Sequence, residues 1–477
     1  MSLISNAKWN AFSQLFKISI QLINLIYLAK IIPPNEYGLM AMAAVVITLG
    51  ILLRDLGTSA ALIQRKILSE ALKNTVFWMN TLMGLIIAII VSMSAPFIAD
   101  IYNQEKLTYV LIMISVTFPL SSCAAAHLAL MERESQFKKI SSIEISSSLL
   151  SVLVAVFLAH KGYGVYSLVG QSITLSLVSA IQFWYCSSWR PSFKNMIAMS
   201  ELKEIFNFSA NLSLFNLINY FSRNADSFII GKFMSAAILG NYNLAYRIML
   251  FPLQSLTFVA SRSLYPVLSR QQDGNDLVLN TYTNCVFVIV LITAPLMTGL
   301  ALLSVPFINI IFGPQWFLTA DVLKWLAPTA IIQSVLSTTG SVFSAKGRTD
   351  ILFKLGVVGT ILQLGSFIIG MNFSITTFAM CYLIANILNF FPVMICLLNL
   401  ISGSFVSFIN TLMPIVFSTL SMIIVLEIFN VYIYPFNSIS GLSFLILYAF
   451  IGAFFYFIFL YILSIKFRNF FSKTNKR

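Results

Sequence analysis

The stretch from Phe206 to Ser261 decides the fold, because it holds polar and charged side chains inside two apolar segments. It reads FNFSANLSLFNLINYFSRNADSFIIGKFMSAAILGNYNLAYRIMLFPLQSLTFVAS. Each segment is long enough to cross a bilayer, since about 20 helical residues span the hydrocarbon core. A charge at membrane depth costs at least about 3 kcal/mol, so it persists only on a protected or water-filled face. The stretch therefore predicts a membrane protein whose helices carry a functional polar face.

The polar residues of this stretch recur at helical spacing. One set, at intervals of three or four residues, is Asn216, Asn219, Arg223 and Asp226. The next segment keeps the same rhythm with Asn243, Arg247, Gln254, Thr257 and Ser261. Such spacing places each set on one side of a helix. We interpret the two faces as the lining of a cationic, hydrophilic cavity in a membrane transporter.

Composition supports this interpretation and excludes other classes. The chain has 477 residues, of which 58% are hydrophobic and only 9% charged, whereas soluble domains are about a quarter charged. The net charge of +13 is spread over short loops, which favours membrane topology over a nucleic-acid partner. The five cysteines lack paired spacing and the two histidines lie far apart, so we predict no metal, no disulfide and no cofactor.

Counting about 20 apolar residues per crossing gives about fourteen helices. Their predicted spans are 11–31, 38–61, 76–99, 107–130, 141–160, 165–186, 206–230, 238–264, 281–304, 319–344, 351–371, 375–398, 408–430 and 441–465. Prolines fall inside several of these spans, at Pro119, Pro252, Pro295, Pro328, Pro392 and Pro414. Each proline weakens the hydrogen-bond ladder and marks a possible bend, or a static kink filled by packing.

The distribution of lysine and arginine predicts the orientation of the chain. Alternate loops and both termini are rich in these residues, whereas the opposite loops carry only Lys30, Lys106, Lys161 and Lys232. Because cytoplasmic loops are enriched in basic residues, we place both termini in the cytoplasm and expect an even number of helices.

An internal repeat links the two halves of the chain. Lys30 and Gly38 bracket one turn, and Lys232 and Gly240 bracket another, 202 residues later. The same offset carries Gln14, Lys17, Gln21 and Asn24 onto the polar set of the opening stretch. Both repeats begin on the cytoplasmic side, which predicts parallel halves about an axis along the membrane normal.

The predicted fold is an all-α integral membrane protein. Residues 1–204 form an N-terminal six-helix bundle, 205–400 a C-terminal six-helix bundle with pseudo-twofold symmetry, and 401–477 two additional helices with a basic cytoplasmic tail. The polar stripes of the first helix of each bundle are expected to face each other across a central cavity.

Several long motifs resemble a known family. They are NEYGLMAMAAVVITLGILLRDLGTSAALIQRK (Asn35–Lys66), NTVFWMN (Asn74–Asn80), SRNADSFIIGKFMSAAILGNYNLAYRIMLFPLQ (Ser222–Gln254), FGPQWFLTADVLKWLAP (Phe312–Pro328) and KGRTDILFKLG (Lys346–Gly356). They are similar to motifs of the O-antigen and colanic-acid-type polysaccharide flippases of the MOP superfamily, from about residue 5 to residue 370. The resemblance implies a bacterial inner-membrane transporter, not an enzyme. It also implies an oligosaccharide substrate on polyprenyl (undecaprenyl) diphosphate, with polysaccharide polymerase and chain-length machinery as further partners beside membrane lipids.

The chemistry of such a substrate assigns roles to the polar residues. Arg223 and Arg247 are the first candidates for the diphosphate, because the guanidinium fork donates two parallel hydrogen bonds; Lys17 and Lys324 are the second. The candidates for sugar hydroxyls are Gln14, Gln21, Asn24, Asn216, Asn219, Asn243 and Gln254. Candidates for a gate or a coupling site are Asp226, Arg54, Asp55 and Glu144.

Structural roles stay open for these residues. Arg223 is three residues from Asp226 and can pair with it, Lys324 can pair with Asp321 or reach the interface, and amides also join helices to each other.

Three other functions compete with lipid-linked glycan export. A cation-coupled multidrug exporter of the same superfamily favours acidic cavity residues, whereas the intramembrane charges here lean basic. A membrane-embedded polysaccharide polymerase needs a large outer loop or a convergent site, and neither pattern is present in the sequence. A scaffold without transport leaves the buried arginines unexplained. The sequence also lacks the GxxxxGK[ST] phosphate-binding loop.

Overall fold

A computed structural model of the chain describes residues 3–55, 62, 68–193, 196–198, 220–221, 224–271, 274–432 and 441–468. Within these ranges, the side chains of 3–15, 55, 253–263 and 432 are not described. The described part is helical and contains no β-strand. Ten of its helical stretches are long and apolar enough to cross a membrane. The prediction of an all-α multi-span membrane protein is confirmed.

The first half contains seven described helices. They are α1 (Leu3–Ile31), α2 (Pro34–Asp55), α3 (Glu70–Tyr102), α4 (Lys106–Ser115), α5 (Thr117–Arg133), α6 (Phe137–His160) and α7 (Val165–Cys186). The second half contains α8 (Ala236–Arg270), α9 (Asn275–Leu302), α10 (Ser304–Ile311), α11 (Phe317–Ala345), α12 (Thr349–Gly370), α13 (Ile375–Leu400), α14 (Phe405–Tyr432) and α15 (Leu442–Leu463). Seven of the predicted spans agree with these helices to within four residues at each end, whereas α1, α3, α8 and α9 extend six to eight residues beyond the predicted span at one end.

One predicted span, 107–130, is divided into α4 and α5 at Val116. Pro119 follows three residues later and has no N–H to donate to the carbonyl of Ser115, which weakens the helix at this point. The other five predicted prolines do lie inside helices. The predicted span 206–230 lies mostly outside the described residues, which contain helix over 224–233.

The chain separates into two compact units, Met1–Gly240 and Asn241–Arg477. The sequence placed the boundary at residue 204, which lies outside the described residues. The turn that begins α8 belongs to the first unit because it packs on the turn that begins α2: a Cβ on Gly240 would overlap the carbonyl oxygen of Pro34.

Within the first unit, α6 packs along α7 and against α1, and α3 packs against α5. Within the second unit, α11 packs against α9 and α13, and α13 against α12. The final helices α14 and α15 pack on each other and on α9. The hydroxyl of Tyr456 donates to the carbonyl oxygen of Leu291 at 2.9 Å, which fixes α15 on α9. The two helices that follow the predicted repeat therefore share the core of the second unit.

Candidate functional site

The polar stripe of α1 makes contacts with α6 and α7 inside the first unit. Lys17 Nζ donates to Glu144 Oε2 at 2.7 Å, and Asn24 Nδ2 donates to Gln171 Oε1 at 3.3 Å. One turn further, the hydroxyl of Tyr27 lies 2.8 Å from Nε2 of His160. Gln21, between Lys17 and Asn24 on the same face, is exposed. The structure thus brings together Lys17 and Glu144, which the sequence had assigned to separate roles.

Asn24 is the most enclosed member of this stripe. Its side chain is buried, and its Oδ1 atom has no hydrogen-bond partner among the described residues. A buried amide that has one partner on α7 joins helices in the way that interhelical amides commonly do. A role for Asn24 in binding sugar stays a prediction.

The gate and coupling candidates lie on different helices of the first unit. Arg54, near the end of α2, donates through Nη1 to the hydroxyl of Ser121 on α5. Asp226 is buried, and its Oδ1 atom accepts the backbone N–H of Ser227 at 2.6 Å. The side chain of Asp55 lies outside the described residues. Arg54 therefore ties two helices together, whereas Asp226 is enclosed by the packing around it.

In the second unit, Arg247 lies on the open side of α8. Its side chain is exposed, whereas Ile248 and Met249, which point away from it around the helix, are buried. Asn243, one turn earlier on the same side as Arg247, is half-buried. Arg247 is eleven residues from the start of α8, about 16 Å along the helix axis, which is about half the thickness of the hydrocarbon core of a bilayer.

Lys324 pairs with Asp321 on α11, as the sequence allowed. The Nζ atom lies 2.9 Å from Oδ1, and the two side chains are 46% and 42% exposed. An exposed pair within one helix adds little to stability. The remaining candidates cannot be located in this way: Arg223, Asn216 and Asn219 lie outside the described residues, as do the side chains of Gln14 and Gln254.

Sequence reasoning missed a polar network in the second unit. Gln333 Nε2 on α11 donates to the hydroxyl of Tyr382 at 2.7 Å and approaches Oδ1 of Asn386, also on α13, at 3.4 Å. The signal was present, because Tyr382 and Asn386 are four residues apart in an otherwise apolar span. These side chains can bond to each other or to hydroxyl groups of a ligand.

Sequence reasoning also missed the aromatic surroundings of a buried histidine. His127 is fully buried among the rings of Phe77, Trp184 and Trp189, with ring centroids 6.0, 4.8 and 5.5 Å away. Neither of its ring nitrogens has a hydrogen-bond partner among the described residues. Phe77, His127 and the two tryptophans come from three distant parts of the sequence, so spacing alone does not reveal the cluster.

The fold and the charged helix faces define a multi-span helical membrane protein of the transporter type. The chain belongs to the family described as "Polysaccharide biosynthesis protein", which it matches over residues 27–321. The match confirms the resemblance that the sequence motifs showed. Proteins of this family and fold are transporters and flippases and not catalytic enzymes.

Two relatives cover most of the chain. The teichuronic acid biosynthesis protein TuaB of Bacillus subtilis is 28% identical over 395 residues, which are 81% of this chain and 80% of TuaB. The lipopolysaccharide biosynthesis protein WzxC of Escherichia coli is 29% identical over 369 residues, 77% of this chain and 75% of WzxC.

Among solved structures, the fold is similar to that of the lipid II flippase MurJ in an inward closed conformation. The TM-score is 0.74 at 15% sequence identity, covering 96% of this chain and 98% of MurJ. At this identity the likeness establishes the fold alone.

Proposed function

We propose that this protein is a flippase that moves a polyprenyl diphosphate-linked oligosaccharide from the cytoplasmic to the outer leaflet of the bacterial inner membrane. The observation that carries the proposal is Arg247, an exposed arginine one third of the way along α8. A guanidinium at this depth cannot face hydrocarbon without a cost of a few kcal/mol. In this proposal the exposed guanidinium borders a hydrophilic passage that admits an anion.

The chemistry of a lipid-linked glycan requires such a passage. The sugar and the diphosphate cannot cross hydrocarbon, whereas the polyprenyl tail never has to leave it. Arginine suits the diphosphate because its planar fork donates two parallel bonds to phosphate oxygens. In this proposal Arg247 binds the diphosphate, Arg223 and Lys17 are further candidates for the same role, and transport proceeds by alternating access.

The family and the names of the relatives support a glycan cargo. TuaB is named for teichuronic acid and WzxC for lipopolysaccharide. The cargo of this chain is accordingly a repeat unit of O-antigen, capsule or exopolysaccharide. A polymerase and chain-length machinery are the partners that would consume the exported unit.

The membrane potential is a sufficient source of energy in this scheme. A potential that is negative inside favours outward movement of anions by about 2.3 kcal/mol per charge per 100 mV. A diphosphate with two charges therefore gains several kcal/mol on export. When the arginines neutralise the diphosphate, the return of the empty cationic carrier captures the same energy. Loss of flipping when only a proton or sodium gradient is removed, at fixed potential, would contradict this scheme.

The second candidate, a cation-coupled multidrug exporter, is favoured by one observation. Asp226 is a buried acidic residue in the segment that leads to α8. Its carboxylate already accepts the Ser227 N–H, however, and the exposed charge on α8 is a cation. The balance of charges supports an anionic substrate.

The experiment uses purified protein in proteoliposomes that contain undecaprenyl diphosphate bearing a fluorescent N-acetylglucosamine disaccharide. Flipping is measured as the fraction of fluorophore that becomes accessible to membrane-impermeant dithionite. Arg247→Ala should slow flipping at least about tenfold, because a charge-assisted hydrogen bond contributes about 1.5–3 kcal/mol. The control Arg270→Ala, at the exposed end of α8, should leave the rate within about twofold. Equal rates for wild type, Arg247→Ala and empty vesicles would overturn the proposal.

A further inference from the structure

Two ion pairs of the first unit differ in how many of the two carboxylate oxygens accept a hydrogen bond. In the pair of Glu36 with Lys106, Oε1 accepts the lysine Nζ at 2.6 Å and Oε2 accepts the backbone N–H of Val165 at 2.8 Å. The Glu36 side chain is only 16% exposed. Both oxygens are occupied, and the contacts join α2, α4 and α7. This pair has the properties of a fixed structural link.

The pair of Glu144 with Lys17 is built differently. Only Oε2 of Glu144 accepts a hydrogen bond from Lys17 Nζ, at 2.7 Å. In the part of the chain that the structure describes, Oε1 has no recorded partner and the ammonium group has no second acceptor. An ammonium carries three N–H donors, so two of them remain available there. The side chains are 23% and 36% exposed, which leaves the pair open on one side.

The proposed function places the open side of this pair against water. Lys17 lies fourteen residues from the end of α1 at Ile31, and Glu144 lies seven residues, about 10 Å, from the start of α6 at Phe137. Charges at such depth are stable only beside a water-filled space or a partner. In the proposed flippase, this charged and partly exposed pair therefore borders the aqueous passage.

We infer that Glu144 is the resident counter-ion of Lys17 and is exchanged for a phosphate of the substrate. The inference rests on the proposed function and assigns a release step to it. When a lipid-linked diphosphate enters, a phosphate oxygen takes the place of Glu144 Oε2 on the ammonium. When the substrate has crossed, Glu144 returns to Lys17 and displaces the phosphate. No covalent bond changes, and Lys17 stays protonated throughout.

The neighbouring charges favour the return of Glu144. Glu132 on α5 interacts electrostatically with Glu144 as a like charge, which makes a Glu144 without its lysine less stable. From α7, the side chain that reaches this part of α6 is Gln182, whose Oε1 accepts the hydroxyl of Ser146 at 2.7 Å. On α6 itself, Lys138 and Lys139 lie a turn or more before Glu144 and are exposed. Lys17 is thus the direct cationic partner of Glu144 in the described chain.

The test measures the affinity of the full-length protein in detergent for farnesyl diphosphate, with farnesol as the uncharged probe. Glu144→Gln should bind farnesyl diphosphate about two- to fivefold more tightly, because the phosphate no longer competes with a carboxylate in a half-exposed pair. The same variant should flip more slowly under multiple turnover, because release is impaired. Lys17→Gln should bind more weakly, and adding Glu144→Gln to it should bring no further change. Farnesol binding should be equal in all of them.

The matched control is Glu36→Gln, the same substitution in the structural pair, which should lower thermal stability and leave the affinity of the folded protein unchanged. Glu144→Asp, which keeps the charge but shortens the side chain, should give an intermediate gain and serves if Glu144→Gln does not fold. The inference is overturned if the Glu144 variants bind farnesyl diphosphate no more tightly than the wild type does. It is also overturned if Glu144→Gln still increases the affinity when Lys17 is replaced. Flipping by the wild type, after the same preparation is reconstituted into proteoliposomes, shows whether the proposed function stands independently of the inference.

Discussion

Gly38 and Gly240 are related by the 202-residue repeat, and each lies against the helix start of the other. A Cβ on Gly38 would overlap the carbonyl oxygen of Ala236, and a Cβ on Gly240 would overlap that of Pro34. Pro34 and Ala236 are themselves 202 residues apart. The contact is therefore reciprocal within the first unit. Close backbone approach through glycine is a common way to pack membrane helices.

Alanine at either glycine should separate the two turns. The overlapping atom is a backbone carbonyl oxygen, which cannot rotate away as a side chain can. We expect Gly38→Ala and Gly240→Ala each to lower the free energy of unfolding by about 1–3 kcal/mol or more, as overpacking does. Thermal unfolding in detergent measures the effect. Gly356→Ala on α12 is the control, because a Cβ there meets nothing within 4 Å, and it should be neutral or stabilising by up to about 1 kcal/mol.

Glu36 should be required for stability because it links three helices. Glu36→Gln replaces the acceptor that faces the Lys106 ammonium or the Val165 N–H. Leaving one of these donors without an acceptor costs about 1–3 kcal/mol. The melting temperature should fall, whereas Glu105→Gln, at an exposed nearby position, should leave it unchanged. Equal melting temperatures for the two variants would show that the link contributes nothing.

His127 should tolerate an apolar replacement. Its nitrogens are buried without a hydrogen-bond partner in the described chain, so leucine removes a desolvation cost without breaking a bond. We expect His127→Leu to raise the free energy of unfolding by about 1–3 kcal/mol. His160→Leu, which loses the contact with Tyr27, should instead lower it or leave it unchanged. A strongly destabilised His127→Leu variant would mean that the imidazole has a polar partner.

The predicted orientation can be tested at two exposed glutamates. Glu105 precedes α4 and Glu134 follows α5, so they lie at opposite ends of one membrane crossing. In a background without native cysteines, Glu105→Cys should react with a membrane-impermeant maleimide in intact cells. Glu134→Cys should react only after the inner membrane is opened. The reverse pattern would place the termini outside.

The sequence by itself determined the class of the protein and the course of its helices. Long apolar spans, few charges and basic residues in alternate loops fix a multi-span membrane protein, because the bilayer admits only helices of a set length in such a chain. The repeat of Gly38 and Gly240 was also visible, since it depends on spacing alone. The proline at position 119 showed where one span weakens, although not that the helix divides there.

Only the tertiary structure decided the partners of the polar residues. Periodicity places Lys17 and Asn24 on one face of α1 but does not say which helix that face meets. The structure shows that Lys17 contacts Glu144 and that Asn24 contacts Gln171, each partner more than a hundred residues away in the chain. The aromatic enclosure of His127 and the network of Gln333 likewise join distant segments. Such pairings depend on how helices pack, because side chains far apart in sequence meet only after the chain has folded.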